Sequence, residues 1–340
     1  MDLRVDILES IAEVDREAWN GLVDTAGAPV FYDHDFLAAC EAAPLEPEVA
    51  RAYLAVRDAS SGDLLAAIPA YLYDPMDPYG DFSDELPGFP MRASRGVVSH
   101  LWHCYDTRVP AASSRIEVLA ALCTALQDLA RRWGAACFGF LNVDASRPEA
   151  DLLPRLGFES RFLCDRFVLD LSACRTIDDY LRALRGDKRH EMTRQVRRAA
   201  DAGIEVSWQE PSLSDIEEMV SLCRATAGRY GGESYYPAAT FGRFLRRAGP
   251  TRRLLAVRSG PVLLGAIVCF LHGGRLHTWA GGARYDLTPR ISPYYVGFYE
   301  AVRFAIDERV DRLEGGRGNP RFKRRYGLQP LPLLALLKRI

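Results

Sequence analysis

The chain has 340 residues, of which 48% are hydrophobic and 26% are charged, the proportions of a globular protein with a full core. This length suits two domains of about 150 residues each. No apolar run reaches the ~18 residues that a membrane-spanning helix needs, and the acidic N-terminus lacks a basic-then-apolar signal pattern. We therefore expect a cytoplasmic protein that makes no membrane contact.

The cysteine pattern argues against a disulfide framework and against a structural zinc. The eight cysteines are scattered, form no CxxC pair and lie mostly in apolar surroundings, which is typical of small buried side chains in a reducing compartment. His100 and His103 fall in a predicted strand, where their side chains would point to opposite faces, so no metal site is expected. Motifs of serine hydrolases, P-loop NTPases and zincins are absent from the sequence.

The net charge of −2 hides a strong asymmetry between the two halves. Residues 166–340 contain 30 Lys and Arg against 18 Asp and Glu, whereas the first 165 residues contain 13 basic and 27 acidic side chains. The second half therefore carries +12 and the first −14. We expect the basic half to bind an anionic partner such as the phosphates of a nucleotide or an RNA.

The first half is predicted to alternate helices and strands. The expected order is a strand at 3–8, helices near 13–25 and 33–42, strands at 52–58 and 64–73, an irregular loop over 74–95, a strand near 97–104, a helix at 113–133, a strand at 136–143, a short helix at 148–156 and a strand at 158–171.

The second half repeats a similar order. It is predicted to contain a long basic helix over 176–201, a strand at 204–209, helices near 212–228 and 237–248, strands at 252–258, 262–271 and 275–283, a helix at 291–309, a strand at 311–314, a short helix at 319–326 and a final strand at 329–338. We therefore predict an α/β fold with mixed sheets and an internal duplication, with domains 1–165 and 166–340.

Three stretches of the second half carry a resemblance to a known family. Residues 313–327 read LEGGRGNPRFKRRYG, in which a strand ends in small residues and an F-K-x-x-Y-G helix follows. Residues 188–206 join a basic helix to a strand, and residues 281–295 form a strand–loop–helix centre. Together with residues 29–37 and 65–72 of the first half, these stretches resemble the FemAB-like (Fem-type) transferases of the GNAT superfamily.

The resemblance implies tandem GNAT-like domains and transfer of an aminoacyl group from a charged tRNA to an amine. Relatives of this kind build peptidoglycan bridges, load small amines in specialised metabolism such as antibiotic biosynthesis, or use acyl-CoA. The chain has no obvious coiled-coil arm, which argues against a peptidoglycan acceptor, and a bridge-building aminoacyltransferase stays an alternative. The first domain is then the acidic acceptor side and the second the basic donor and catalytic side, with the acceptor bound in the cleft between them.

The loop after the strand at 275–283 favours tRNA over CoA as the donor. An acetyl-CoA GNAT carries a glycine-rich loop there, whose backbone amides hold a pyrophosphate. Here residues 283–293 contain no glycine, which hinders a close backbone approach to phosphate. We therefore expect no cofactor other than the aminoacyl-tRNA donor, and an acyl-CoA donor remains the alternative.

The F-K-x-x-Y-G motif supplies the main candidates for chemistry. Aminoacyl transfer requires a positioned amine and a stabilised oxyanion. Lys323 is the first candidate for that electrostatic role, and its alternative is a solvated cation in a basic run. Glu314 is a candidate general base or amine anchor, although a salt bridge to Arg317 is slightly favoured. Phe322 is a candidate for stacking on a terminal adenine and equally a candidate for core packing.

Further candidates are assigned by position in the sequence. Arg317, Arg284 and Asp286 are expected to face donor or acceptor, and Tyr79 and Asp81 lie in an acidic loop that resembles an acceptor-side loop. The residues expected to contact tRNA phosphates are Arg185, Lys188, Arg189, Arg194, Arg197, Arg198, Arg321, Arg324 and Arg325. The leading hypothesis is a tRNA-dependent N-acyltransferase acting on a small amine. A non-catalytic RNA-binding protein on a decayed transferase fold is the alternative from another class.

Overall fold

The computed structural model describes residues 2–80, 82, 86–112, 115–209, 213–284, 286–287 and 290–340. The chain divides into two compact units, Met1–Asp165 together with Leu331–Ile340, and Arg166–Pro330. Residues 331–340, which the sequence assigned to the second domain, belong to the first unit because the last strand pairs with a strand there.

The first unit is an α/β sandwich around a mixed sheet. Its strands are β1 (Leu3–Leu8), β2 (Ala50–Asp58), β3 (Leu64–Tyr73), β4 (Gly96–Ser99), β5 (Cys137–Asp144) and β12 (Gln329–Arg339), in the order β1-β2-β3-β4-β5-β12. Its helices are α1 (Arg16–Thr25), α2 (His34–Ala42), α3 (Ile116–Arg132) and α4 (Pro148–Arg155). The β4–β5 pair is parallel and its neighbours are antiparallel. The apolar face of α3 packs on β2 and β3 and closes the core.

The second unit has a similar plan. Its strands are the part of β6 (Glu159–Asp170) from Arg166 onward, β7 (Ile204–Gln209), β8 (Arg252–Ser259), β9 (Val262–His272), β10 (Arg275–Ala283) and β11 (Arg312–Gly316), in the order β6-β11-β10-β9-β8-β7. Its helices are α5 (Ile177–Ala183), α6 (Gly186–Asp201), α7 (Leu213–Gly228), α8 (Ala238–Arg247), α9 (Pro293–Asp307) and α10 (Pro320–Arg325). Only β10 and β11 are parallel among the strand pairs described in this unit.

The long basic helix predicted over 176–201 is two helices. α5 ends at Ala183, and α6 begins at Gly186, with Leu184 and Arg185 in extended conformations between them. Leu184 is buried in the core of the second unit, and Gly186 is a weak helix former. At this break the helical hydrogen bonds are interrupted, and the Leu184 side chain is buried in the core.

The strand predicted near 97–104 ends at Ser99, so the expected divergence of two histidines in a strand was wrong. His100 Nε2 lies 2.8 Å from the Phe31 carbonyl oxygen, and His103 contacts Glu46 through its ring and its backbone amide. Both histidines are buried and serve the packing of the first unit. Burial lowers the pKa of His100 to about 4, so this imidazole is neutral near pH 7.

The described residues contain no helix that is both long enough and apolar enough to cross a bilayer. Six of the eight cysteines are buried, and Cys164 and Cys174 are half-buried. Across the described part of the chain, no group of three or more His, Cys, Asp or Glu side chains is arranged to hold a metal.

Candidate functional site

The parallel ladder between β10 and β11 stops early, and the candidate site begins there. Both strands are described in full, and they pair only from Arg275–Arg312 to His277–Glu314. Beyond that point β10 continues to Ala283 against β9, with a bulge between Thr278 and Ala280. β11 turns away after Glu314 through a second bulge against β6. The ends of the two strands therefore separate, and the Thr278 hydroxyl donates a 2.9 Å hydrogen bond to the Glu314 carbonyl oxygen where the ladder stops.

A tight turn then brings α10 back against the end of β11. Gly316 has a φ of 68° and Asn319 a φ of 55°, conformations that suit glycine and asparagine. Pro320 occupies the first turn of α10, where its missing N–H costs nothing. The sequence G-R-G-N-P thus reverses the chain and places the F-K-x-x-Y-G segment beside the strand end.

Lys323 is buried at this strand end and is not a solvated cation. Its side chain is 5% exposed, and its Nζ donates a hydrogen bond of 3.1 Å to the Gly316 carbonyl oxygen. The ammonium lies 5.5 Å from the centre of the Phe167 ring. Burial, reinforced by the nearby Arg317 charge, lowers the pKa of Lys323 to about 7. An amine in this setting changes its charge near neutral pH, as acid–base and oxyanion-binding groups do.

Glu314 is fully buried beside a different cation from the one expected. Its Oε2 lies 3.5 Å from a guanidinium nitrogen of Arg166 on β6, and that arginine is itself 1% exposed. The cation that the structure places beside Glu314 is thus Arg166, whereas the sequence favoured Arg317. His277, buried on β10, is the register partner of Glu314, so three ionisable side chains adjoin where the ladder stops. Buried charges of this kind persist only when they are paired.

Arg317 extends from the turn toward the segment between α7 and α8. One of its guanidinium nitrogens donates to the Tyr235 hydroxyl at 2.7 Å. Tyr235 contacts Tyr236 edge-on, and Tyr236 packs on Phe241. The contact links the Lys323 environment to an aromatic wall that borders the open end of β10, where Trp279 also lies.

Phe322 belongs to the core, which agrees with the core-packing alternative and not with stacking on an adenine. The side chain is 6% exposed and meets Tyr294, Tyr295 and Phe298 of α9 at centroid distances of 4.7, 5.0 and 5.1 Å. These contacts occupy its ring and hold α10 against α9. Packing of aromatic edges and faces stabilises such a cluster beyond the area that it buries.

The motif tyrosine, Tyr326, joins α10 to the basic helix. Its hydroxyl donates to Glu191 on α6 at 3.1 Å, and Lys188 Nζ contacts the same carboxylate oxygen at 3.2 Å. The Tyr180 hydroxyl donates to the Tyr326 carbonyl oxygen. Lys188, expected to contact phosphate, is thus already paired with acidic side chains of its own helix.

The first turn of α9 lies against the C-terminal half of α6. Gln195 accepts a 2.9 Å hydrogen bond from the Ser292 amide, and Arg198 reaches the Arg290 carbonyl oxygen at 3.5 Å. Ser292 is the N-cap residue of α9 and makes no side-chain cap. The positive end of a helix and a row of exposed arginines therefore share one surface, which is an arrangement that attracts phosphate. We call this surface the α6–α9 basic face: Arg194, Arg197, Arg198 and the N-terminus of α9.

The remaining sequence-predicted residues are dispersed. Arg284 contacts Glu218 of α7 at 3.8 Å, and Asp286 is exposed. Tyr79 lies in the first unit, where its amide contacts Asp77, while Asp81 lies outside the described residues. The other candidate phosphate ligands fall into two groups by exposure: Arg185, Arg321, Arg324 and Arg325 are exposed, and Arg189 is half-buried.

Three residues of the site were missed by the sequence analysis: Arg166, His277 and Tyr235. Arg166 alone had a readable signal, because it interrupts the apolar run of β6 next to Phe167. A buried arginine that directly precedes the buried apolar residues 167–169 requires a buried anion as its partner. The other two are recruited by contacts between distant segments and carry no local pattern.

The close approach of α10 to β11 yields a stability prediction at Gly315. A Cβ added there would lie 2.5 Å from Leu328 Cδ2 and 3.2 Å from the Phe167 carbonyl oxygen. We expect Gly315→Ala to lower the free energy of unfolding by about 1–3 kcal/mol through overpacking. Gly318→Ala is the matched control, because nothing lies within 4 Å of its Cβ position. Urea denaturation of both variants measures the difference, and equal midpoints would contradict the packing described here.

A comparison with protein-family models finds a match over the segment that contains the candidate site. Residues 186–324 match the family model described as Acetyltransferase (GNAT) domain, a span that runs from α6 to α10 and includes the whole candidate site. No curated protein sequence matches the chain.

Solved structures share the fold along nearly the whole chain. FemX superposes with a TM-score of 0.66 at 10% identity, covering 98% of this chain and 97% of that one. The C-terminal domain of a putative lysylphosphatidylglycerol synthetase from Agrobacterium fabrum gives 0.61 at 12% identity, with coverages of 97% and 93%. A tandem GNAT protein from the clavulanic acid biosynthesis pathway gives 0.58 at 14% identity, with coverages of 99% and 98%. Residues 186–324 thus match a GNAT acetyltransferase domain, and the whole chain shares its fold with FemX and with a tandem GNAT protein.

Proposed function

We propose that the second unit transfers an aminoacyl group from charged tRNA to the amine of a small molecule and forms an amide. The observation that carries this proposal is the α6–α9 basic face, which presents exposed arginines beside an uncapped helix N-terminus. A nucleic acid backbone is a ligand that needs many such cations at once. The glycine-free segment 283–293 supports the choice of tRNA over CoA.

The chemistry that we assign to the site is an aminolysis. The acceptor nitrogen attacks the ester carbonyl carbon, a C–N bond forms, and the bond to the terminal ribose oxygen of the tRNA breaks. The amine loses a proton and the departing ribose oxygen gains one, so no oxidant or metal is required. An activated ester needs positioning and charge stabilisation more than covalent catalysis.

In this scheme, Lys323 stabilises the tetrahedral oxyanion as its ammonium form. Its burial beside Phe167 removes competing water, which strengthens its interaction with a developing negative charge. Glu314 is proposed to accept the proton of the attacking amine where the β10–β11 ladder stops. Arg317 and Tyr235 border the same strand end and are proposed to orient the substrates.

An acyl-CoA donor is the second candidate, and the early end of the β10–β11 ladder favours it. Two parallel strands that separate leave a gap that an extended pantetheine arm could enter. The domain match over residues 186–324 points the same way. Either donor would place phosphates on the α6–α9 basic face. Only the CoA donor would also require segment 283–293 to bind a pyrophosphate.

A transfer assay separates the two donors. The purified full chain is incubated with pooled radiolabelled aminoacyl-tRNAs or with a panel of acyl-CoA thioesters, in the presence of small primary amines. We expect labelled amide from the tRNA pool and none from the thioesters. Amide formed only from a thioester would overturn the proposed donor. We place the reaction in specialised metabolism on a small amine, as the sequence resemblance implies.

A further inference from the structure

The first unit contains a ligand-sized cavity that the proposed transfer does not use. Its volume is about 320 Å³, at the lower end of the range for small-molecule sites. The wall is formed by the end of α1, by β3, by the segment 108–112 and by the first turns of α3 and α4. Its apolar part includes Ala26, Ala66, Val109, Val118, Leu119 and Leu152.

Three arginines line this cavity against one carboxylate. They are Arg108, Arg115 and Arg147, and the carboxylate is Glu149. Glu149 accepts a 3.0 Å hydrogen bond from the Val109 amide, so its charge is already engaged by the backbone. Arg108 forms a two-pronged pair with Asp106, at 3.1 and 2.9 Å. The lining thus holds three arginines and one carboxylate, and Asp106 and Asp144 are the further acidic side chains that act on Arg147.

Arg147 is the arginine best placed to bind a ligand. It is half-buried, and its guanidinium makes no hydrogen bond or ion pair within 4 Å to any residue in the described ranges. Burial, and then the charge of Arg108, lowers the pKa of Arg147 below its ordinary value. Two like charges held together in a partly enclosed space are stabilised by an anion between them.

Two helices begin at the same cavity. Arg115 is the N-cap residue of α3, and Arg147 is the N-cap residue of α4; neither caps its helix with a side-chain oxygen. α3 has 17 residues, so the positive end of its dipole is well developed. Free amides of a first turn and forked guanidinium groups are the donors that phosphate oxygens take.

We propose that this cavity binds a phosphate monoester that carries a compact apolar group. The phosphate is held by Arg147 and Arg115 at the two helix N-termini, and the apolar group fills the wall between α1, α3 and α4. The volume limits the apolar part to about the size of one aromatic ring. The proposal concerns the first unit alone and does not depend on the donor used by the second.

Isothermal titration calorimetry of the full chain tests the proposal with phenyl phosphate as the probe. Benzoate, which has the same ring and a carboxylate, and inorganic phosphate, which has no apolar group, are the comparison ligands. We expect phenyl phosphate to bind with a Kd below about 1 mM and at least tenfold more tightly than either comparison ligand. Absence of binding at 10 mM phenyl phosphate would overturn the proposal, as would equal or tighter binding of benzoate or of inorganic phosphate.

Matched variants locate the site. Arg147→Gln is expected to raise the Kd for phenyl phosphate at least tenfold, while Arg155→Gln, at the exposed other end of α4, leaves it within twofold. Arg147→Gln should fold with an unchanged or slightly higher melting temperature in the absence of ligand, because it removes a charge from a crowded pair. Equal affinities for phenyl phosphate in the two variants would place the binding elsewhere and refute this site.

Discussion

Replacing Lys323 with methionine is expected to lower kcat/KM by about 10²- to 10³-fold, the usual loss when one oxyanion-stabilising group is removed. Methionine keeps much of the side-chain length and apolar contact with Phe167, so the change removes the charge and little packing. Arg312→Gln is the control, since Arg312 lies exposed at the start of β11, the strand whose Gly316 carbonyl oxygen accepts from Lys323. Single-turnover kinetics with the preferred donor measure both variants.

The pH dependence of activity is a second test of the role of the Lys323 ammonium. Lys323 has a pKa of about 7 in the folded chain, so its ammonium form disappears as the pH rises through neutrality. The ratio of wild-type to Lys323→Met activity should therefore fall above about pH 7, whatever the acceptor amine does. A ratio that stays constant from pH 6 to 9 would contradict an ammonium role.

The change Lys323→Met is expected to raise the stability of the fold while it lowers activity. A lysine whose pKa is lowered by folding binds a proton more weakly in the native state, so it destabilises the fold below its native pKa of about 7. That penalty declines as the pH rises from about 7 toward the ordinary value of 10.5. Lys323→Met should therefore unfold at a higher denaturant concentration than the wild type at pH 6, with a smaller difference at pH 9. Loss of stability at both pH values would indicate a purely structural lysine.

Neutralising the α6–α9 basic face carries the second large expected effect. The triple change Arg194→Gln, Arg197→Gln and Arg198→Gln removes three exposed cations from one helix. Each lost phosphate contact lowers the slope of log affinity against log salt by about 0.7–0.9. We expect the slope for charged tRNA to fall by about 2 to 3 in magnitude, and the affinity at low salt to fall by about 10²-fold.

A matched triple variant on another helix controls for net charge. Arg243, Arg246 and Arg247 are exposed on α8, so changing all three to glutamine removes the same charge from a different surface. Filter binding of charged tRNA from 50 to 300 mM salt compares the two triples. Equal losses in both would show that only the overall charge of the chain matters, which contradicts a defined tRNA surface on α6.

Local patterns in the sequence predict most elements of the second unit because each has its own start and stop signals. The hairpin between β9 and β10 follows from Gly273-Gly274 between two apolar runs, and α9 begins at a Ser-Pro pair. The break before Gly186 was missed because the basic pattern continues across it. What ends α5 is the burial of Leu184, and burial depends on residues far away in the chain.

The site itself was predicted only in part, for a similar reason. The F-K-x-x-Y-G motif located Lys323, but its burial depends on Phe167 and on the turn at Gly316. Phe322, the next residue in the motif, faces the aromatic side chains of α9 instead. The partner of Glu314 depends on the register of β11 against β6, which a single sequence does not encode locally. The pairing of β12 with β5 is equally non-local.

The sensitivity of transfer to RNase tests the central claim most directly. The full chain, a labelled aminoacyl-tRNA pool and the acceptor amines are combined with or without prior RNase treatment of the donor, and amide product is counted. An aminoacyl-tRNA-dependent enzyme predicts product that is lost after RNase treatment and reduced at least 10²-fold in Lys323→Met. Product that persists after RNase treatment and requires an added acyl-CoA thioester would contradict the tRNA donor and leave the GNAT fold in place.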